Sequence, residues 1–120
     1  MLIFKNKWFA RFAEKEGIGN RKLIQAVQSA ERGIVDADLG GGVIKQRVAR
    51  DGAGKSGGFR TIVLHRRGDR AFLVYGFPKS DRDSITVGEL REFKKLAEVM
   101  LDITSKQYRG SSGGWTIATG

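Results

Sequence analysis

No cysteine occurs anywhere in this chain of 120 residues. That absence removes disulfides, thiolate catalysis and cysteine-based zinc sites together. Histidine is almost as scarce, with His65 alone, which excludes the two-histidine ribonuclease arrangement and the Cys/His hydrolases. Proline occurs once, at Pro78. No run of about 18 or more apolar residues is present, so no segment is expected to span a membrane. Met1 to Phe4 is apolar but too short for the core of a signal peptide, and polar residues interrupt it at once. Acidic residues are outnumbered by basic ones, 13 against 22, giving a net charge of +9 and a pI near 10.3. A cytoplasmic protein of a single domain fits these limits, since a chain of this length has no room for a second core.

The positive charge is concentrated rather than spread. Between Val43 and Arg82, ten Lys and Arg face three Asp, which leaves +7 of the total +9. Outside that stretch, twelve basic residues face ten acidic ones. A concentrated excess of this kind points to a polyanion, nucleic acid or a ribonucleoprotein, as partner. An acidic protein could cover the same patch.

Hydrophobic spacing places the elements. Leu2 to Phe4 is a short strand. Lys7 to Glu16 is a helix with Trp8 and Phe12 four residues apart and Phe9 and Ala13 beside them, ended by Gly17. Asn20 is positioned to cap a second helix running to about Arg32, with Leu23, Ala26, Val27 and Ala30 as its apolar stripe and Gly33 just beyond its end. Asp36 to Gly42 reads as a loop. Val43 to Ala49 reads as a strand with Val43, Lys45 and Arg47 on one face and Ile44, Gln46 and Val48 on the other. A glycine-rich turn over 50–58 leads to a β-branched strand from Phe59 to Arg66. Gly68 allows a tight hairpin turn into Ala71 to Phe77, apolar on both faces like a covered central strand, which Pro78 stops. Thr86 and Glu89 form a T-x-x-E capping box for a last helix, whose stripe is Leu90, Phe93, Leu96, Ala97, Met100 and Leu101. The predicted order is β-α-α-β-β-β-α: an α+β fold with a small, mostly antiparallel sheet, two N-terminal helices on one face and a C-terminal helix. Residues 1–104 form the domain. Residues 105–120, rich in Ser and Gly, are expected to be a flexible tail, with Trp115 as an anchor.

Two tempting motifs fall short. Gly54-Lys55-Ser56 suggests a nucleotide phosphate loop, but the full pattern needs Gly where Ala49 stands and a helix directly after Ser56. The loop's amides, with Arg50, Lys55 and Ser56, remain able to meet an RNA phosphate. Asp81 and Asp83 are read as solvating their loop or pairing with Arg82 rather than holding a cation, and His65 as a satisfied core or edge residue. No metal and no cofactor are implied. What remains is the cationic set Lys45, Arg47, Arg60, Lys79 and Arg82. Such a set suffices to cut RNA, because the substrate brings its own nucleophile in the 2′-hydroxyl. The site must remove that proton, neutralise the pentavalent phosphorane and protonate the leaving 5′-oxygen. A lysine crowded by cations is the type of group that becomes a base, whereas arginine suits bidentate stabilisation of charged oxygens.

Three stretches in order, Asp36 to Val48, Lys55 to Arg60 and Gly76 to Asp83, make the chain resemble the RelE-like toxins of type II toxin–antitoxin systems, in the RelE/ParE superfamily. Within that superfamily it looks closest to the RelE/HigB branch, over residues 2–104. The resemblance implies a metal-independent endoribonuclease that cleaves mRNA on the ribosome and so inhibits translation. It implies a partner as well, a small antitoxin of helix-turn-helix type. By the same resemblance Lys45 is the general base with Arg47 beside it, Arg60 stabilises the transition state, and Lys79 and Arg82 assist with the leaving group or the phosphate. The chain departs from several such toxins in carrying Ser84 and Ile85 where an aromatic stacks on an mRNA base, leaving Tyr75, Phe77 and Tyr108 as substitutes. It also lacks a C-terminal His. Two other readings stand beside this one: a ParE-like inhibitor of gyrase, and a non-catalytic nucleic-acid-binding or regulatory protein.

Overall fold

The computed structural model of the protein describes residues 1–49, 58–102 and 114–118. Among these the order is β1 (Leu2–Lys5), α1 (Lys7–Glu16), α2 (Asn20–Glu31), β2 (Ala37–Gly40), β3 (Val43–Val48), β4 (Phe59–Arg66), β5 (Arg70–Pro78), α3 (Val87–Met100) and β6 (Thr116–Ile117). The fold is α+β, with a mixed open sheet of order β2-β3-β4-β5-β1-β6. Only the β1–β5 pair is parallel; the other four are antiparallel.

Each helix begins and ends for a local reason. Asn6 caps α1, its side chain accepting from the Phe9 amide at 2.7 Å. Gly17, at φ 71°, turns the chain out of the helix, and the Ile18 amide closes back onto the Ala13 carbonyl at 2.8 Å. The cap of α2 differs from the expectation. Gly19 precedes the helix, and Asn20 is its first residue. The Asn20 side chain instead accepts from Lys5 Nζ at 2.8 Å, so a long-range ammonium takes the acceptor that a cap would use. At the other end, Gly33 (φ 80°) follows the helix as expected, with Gly33 and Ile34 amides donating to Ala30 and Ser29 carbonyls, each at 2.9 Å. The Thr86–Glu89 capping box of α3 is present in both directions.

The two faces of the sheet are covered by different helices. Ile44, Val48, Phe59, Val63, Ala71 and Leu73 pack with Phe9, Ala13, Leu23, Val27 and Ala30 of α1 and α2. Val43, Ile62, Leu64, Phe72, Val74 and Phe77 pack with Ala97 and Met100 of α3. β5, between β4 and β1, is buried from Arg70 to Val74, as its two-sided apolar pattern predicted. Two short edge strands were not expected. Within the supposed loop 36–42, Ala37–Gly40 pairs with β3, and Gly40, Gly41 and Gly42, all at positive φ, make the hairpin turn. Near the C-terminus, Thr116–Ile117 pairs with β1, the Ala118 amide donates to the Ile3 carbonyl at 2.8 Å, and Trp115 meets the Phe72 ring edge-on with centroids 4.9 Å apart.

A candidate phosphate-binding site on the sheet face

The strand period places Lys45 and Arg47 on the face of β3 that α3 shares. Across the ladder, Arg47 is the register partner of Arg60, and Arg60 that of Phe77; one row along, Lys45 lies opposite Ile62 and Ile62 opposite Tyr75. The result is a small grid with cations on β3 and β4 and aromatics on β5. α3 packs on this face through Ala97 and Met100, and its Phe93 reaches the Tyr75 ring of the grid, with centroids 6.0 Å apart.

Lys45 and Arg60 converge on one carboxylate. Asp36 Oδ2 is 3.2 Å from Arg60 Nε and 3.7 Å from Lys45 Nζ. The Asp36 amide donates in turn to Gln46 Oε1 at 3.1 Å, and Gln46 is itself buried and anchored to the Ala26 and Ile34 carbonyls. The side chains of Arg60 and Lys45 are largely buried, 11% and 16% exposed, while that of Asp36 is 29% exposed. Among the described residues, Arg60 Nη1 is buried without a hydrogen-bond partner. Lys45 also donates to the Asp83 carbonyl at 3.2 Å, which brings the loop after β5 over the grid. Arg47 is exposed.

That loop carries Arg82, whose guanidinium is bonded to the loop itself, to α3 and to β5. Nε donates to the Ser84 carbonyl at 2.8 Å, Nη2 to Glu89 Oε1 at 2.5 Å, and Nη1 to Glu89 Oε2 and the Tyr75 hydroxyl at 3.3 and 3.4 Å. Its charge lies 5.4 Å from the centre of the Phe77 ring. The Arg82 hydrogen bond, followed by that of the Thr86 amide, holds the Glu89 carboxyl down to about 2, and Glu89 raises Arg82 in return. Arg82 therefore ties the loop to the start of α3. Lys79 is exposed at the loop's beginning, its amide bonded to the Gly58 carbonyl at 3.2 Å.

The structure thus gathers Lys45, Arg47 and Arg60, and suspends the loop of Lys79 and Arg82 beside them. Arg50, Lys55, Ser56 and Tyr108 lie outside the described residues. Phe77 is buried and Tyr75 half-buried. Trp8, 45% exposed, lies tilted by 32° against Tyr75 with centroids 4.5 Å apart and reaches the surface there. Sequence reasoning assigned no role to Asp36 and saw Glu89 only as a cap. An acid just ahead of a strongly basic strand was the available signal for Asp36.

His65 stands apart from this grid. Its Nε2 meets Glu31 Oε2 at 2.5 Å, and Glu31 also accepts from the Gly68 amide at 2.9 Å. Burial works against the charged form of Glu31, but the His65 and Gly68 hydrogen bonds with the charges of His65 and Arg67 outweigh it and hold the carboxyl below its ordinary value. His65 is a satisfied structural residue, as expected. Among the described residues, no group of three or more His, Asp or Glu side chains is placed to hold a metal ion, and no helix is long and apolar enough to cross a membrane.

A protein-family model described as "RelE toxin of RelE / RelB toxin-antitoxin system" matches residues 1–111. No curated protein matches the chain.

Proposed function

The chain belongs to the RelE toxin family, and from that premise we propose that it cleaves mRNA on the translating ribosome through the cations of the sheet face. Membership makes it a toxin of a type II toxin–antitoxin system with a cognate antitoxin as partner. The observation that carries the finer reading is the convergence of Lys45 and Arg60 on a single anion, with Arg47 in the adjoining register position. A phosphodiester is also an anion of that size, and fixed guanidinium and ammonium groups are suited to it.

In the proposed reaction Lys45 Nζ accepts the 2′-hydroxyl proton. The 2′-oxygen attacks phosphorus, Arg60 and Arg47 balance the charge on the phosphorane, and the bond to the 5′-oxygen breaks. That oxygen takes a proton from Lys79 Nζ as it leaves, and a 2′,3′-cyclic phosphate remains. Arg82 holds the loop that carries Lys79, and Arg50, Lys55 and Ser56 of the glycine-rich turn grip the flanking phosphates. The antitoxin is proposed to be a small helix-turn-helix protein whose acidic segment covers the same cations.

Primer extension on a reporter mRNA in a cell-free translation mixture tests this, with and without ribosomes and with EDTA added after ribosome-independent controls. Cuts that need ribosomes, disappear with Lys45→Ala and end in a cyclic phosphate support the proposal. Absence of cuts from the folded wild type sinks it. In that case DNA damage signalling in cells would favour gyrase inhibition, against which the Lys45–Arg60 pair argues.

A further inference from the structure

We propose that Asp36 is a positioning residue, which orients Arg60 through Nε and keeps its outer nitrogens aimed at the incoming phosphate; this rests on the function proposed above. The carboxylate takes only one side of the guanidinium, the Nε edge at 3.2 Å. Arg60 Nη1 is left buried and unpaired among the described residues. A buried donor without an acceptor is unfavourable, so its presence in a side chain only 11% exposed marks a group held ready for a ligand. An arginine on a strand has four rotatable side-chain bonds, and an anchor at Nε removes the freedom that would scatter its fork.

Asp36 is itself anchored. Its backbone amide is held by Gln46 Oε1, and Gln46 Nε2 spans the Ala26 and Ile34 carbonyls at 2.8 and 2.9 Å. The chain of support runs from the Ala26 and Ile34 carbonyls through Gln46 and Asp36 to Arg60. The same carboxylate lies 3.7 Å from Lys45 Nζ, so one anchor sets the spacing of both cations. Asp36 does not touch the reacting atoms in this scheme. It acts through Arg60.

Removing the carboxylate has two opposed effects, and these make the inference testable. It adds one unit of positive charge to the site, which favours phosphate binding. It also releases the Arg60 fork, and a misplaced group costs on the order of tenfold to a hundredfold in rate. Asp36→Ala should therefore lower kcat by about that factor while KM stays constant or falls. Asp36→Asn retains an acceptor oxygen but no charge, so positioning predicts substantial recovery of kcat relative to Asp36→Ala. A purely electrostatic role predicts that the two variants behave alike.

The decisive experiment pairs these kinetics with NMR of the Arg60 Nε–H group, assigned by its loss in Arg60→Lys. A slowly exchanging signal in the wild type, lost in Asp36→Ala and regained in Asp36→Asn, together with the fall in kcat, supports the inference. A signal indifferent to Asp36, or wild-type kcat in Asp36→Ala, overturns it. If the wild type fails to cleave on ribosomes, the proposed function falls, and the NMR signal alone still decides whether Asp36 orients Arg60.

Discussion

Arg60 has one edge ion-paired and one nitrogen buried without a partner among the described residues, and this contrast sets what its removal does. Arg60→Ala deletes an uncompensated donor along with a partly exposed ion pair, so folding stability should change by no more than about 1 kcal/mol. Loss of a fixed charge at a developing phosphorane costs more, on the order of 10²–10³ in rate. Thermal melting beside ribosome-dependent cleavage separates the two effects. Wild-type cleavage by a folded Arg60→Ala protein removes Arg60 from the mechanism. The cations themselves were legible in the sequence, because a strand alternates and Lys45 and Arg47 had to share a face. Asp36 was not. It belongs to a short segment with no periodicity, and only the pairing of β2 with β3 brings it to Arg60.

At the scale of elements, α3 has the clearest start in the chain, and Glu89 serves it twice. Its carboxylate accepts from the Thr86 amide at 2.8 Å and from Arg82. Because the folded carboxyl is held down to about 2, against an ordinary value of 4.5, its contribution is complete above the ordinary value and is lost as pH falls toward 2. Glu89→Gln should therefore destabilise the protein by about 1 kcal/mol at neutral pH, with the difference from wild type vanishing on acidification through that window. Denaturant titrations at neutral pH and near pH 2.5 measure it; an equal difference at both would contradict the assignment. The packing of α1 on β5 gives a second element-scale prediction. A Cβ on Gly76 would lie 2.6 Å from Phe12 Cε2, and Phe12 is boxed in by Trp8, Phe9 and Phe59. Gly76→Ala should cost about 1–3 kcal/mol by overpacking, read as a lower denaturation midpoint; an unchanged midpoint would show that the Phe12 ring yields freely.

At the scale of the whole molecule, sequence spacing was enough for the three helices and the central strands, whose apolar stripes are long. The edges of the sheet escaped it. β6 has two residues, too few for any period, and β2 is hidden among glycines whose positive φ makes a hairpin out of an apparent loop. Charge is the property that the fold turns into a direction. With +7 of the +9 between Val43 and Arg82, the stretch from β3 to the loop after β5 carries most of the charge, and α2 lies against the opposite face from Lys45 and Arg47. RNA held on the cationic face should therefore be salt-sensitive through particular residues. Arg47→Ala should reduce the slope of log K against log salt by about 0.7 for a 2′-O-methyl single strand that cannot be cut. Arg21→Ala, exposed on α2, should leave the slope unchanged although it removes the same formal charge. Fluorescence anisotropy over a range of potassium chloride concentrations reads both values. Equal losses of slope from the two variants would mean that RNA responds to the net charge of the molecule rather than to this face, and the site would lose its strongest whole-molecule support.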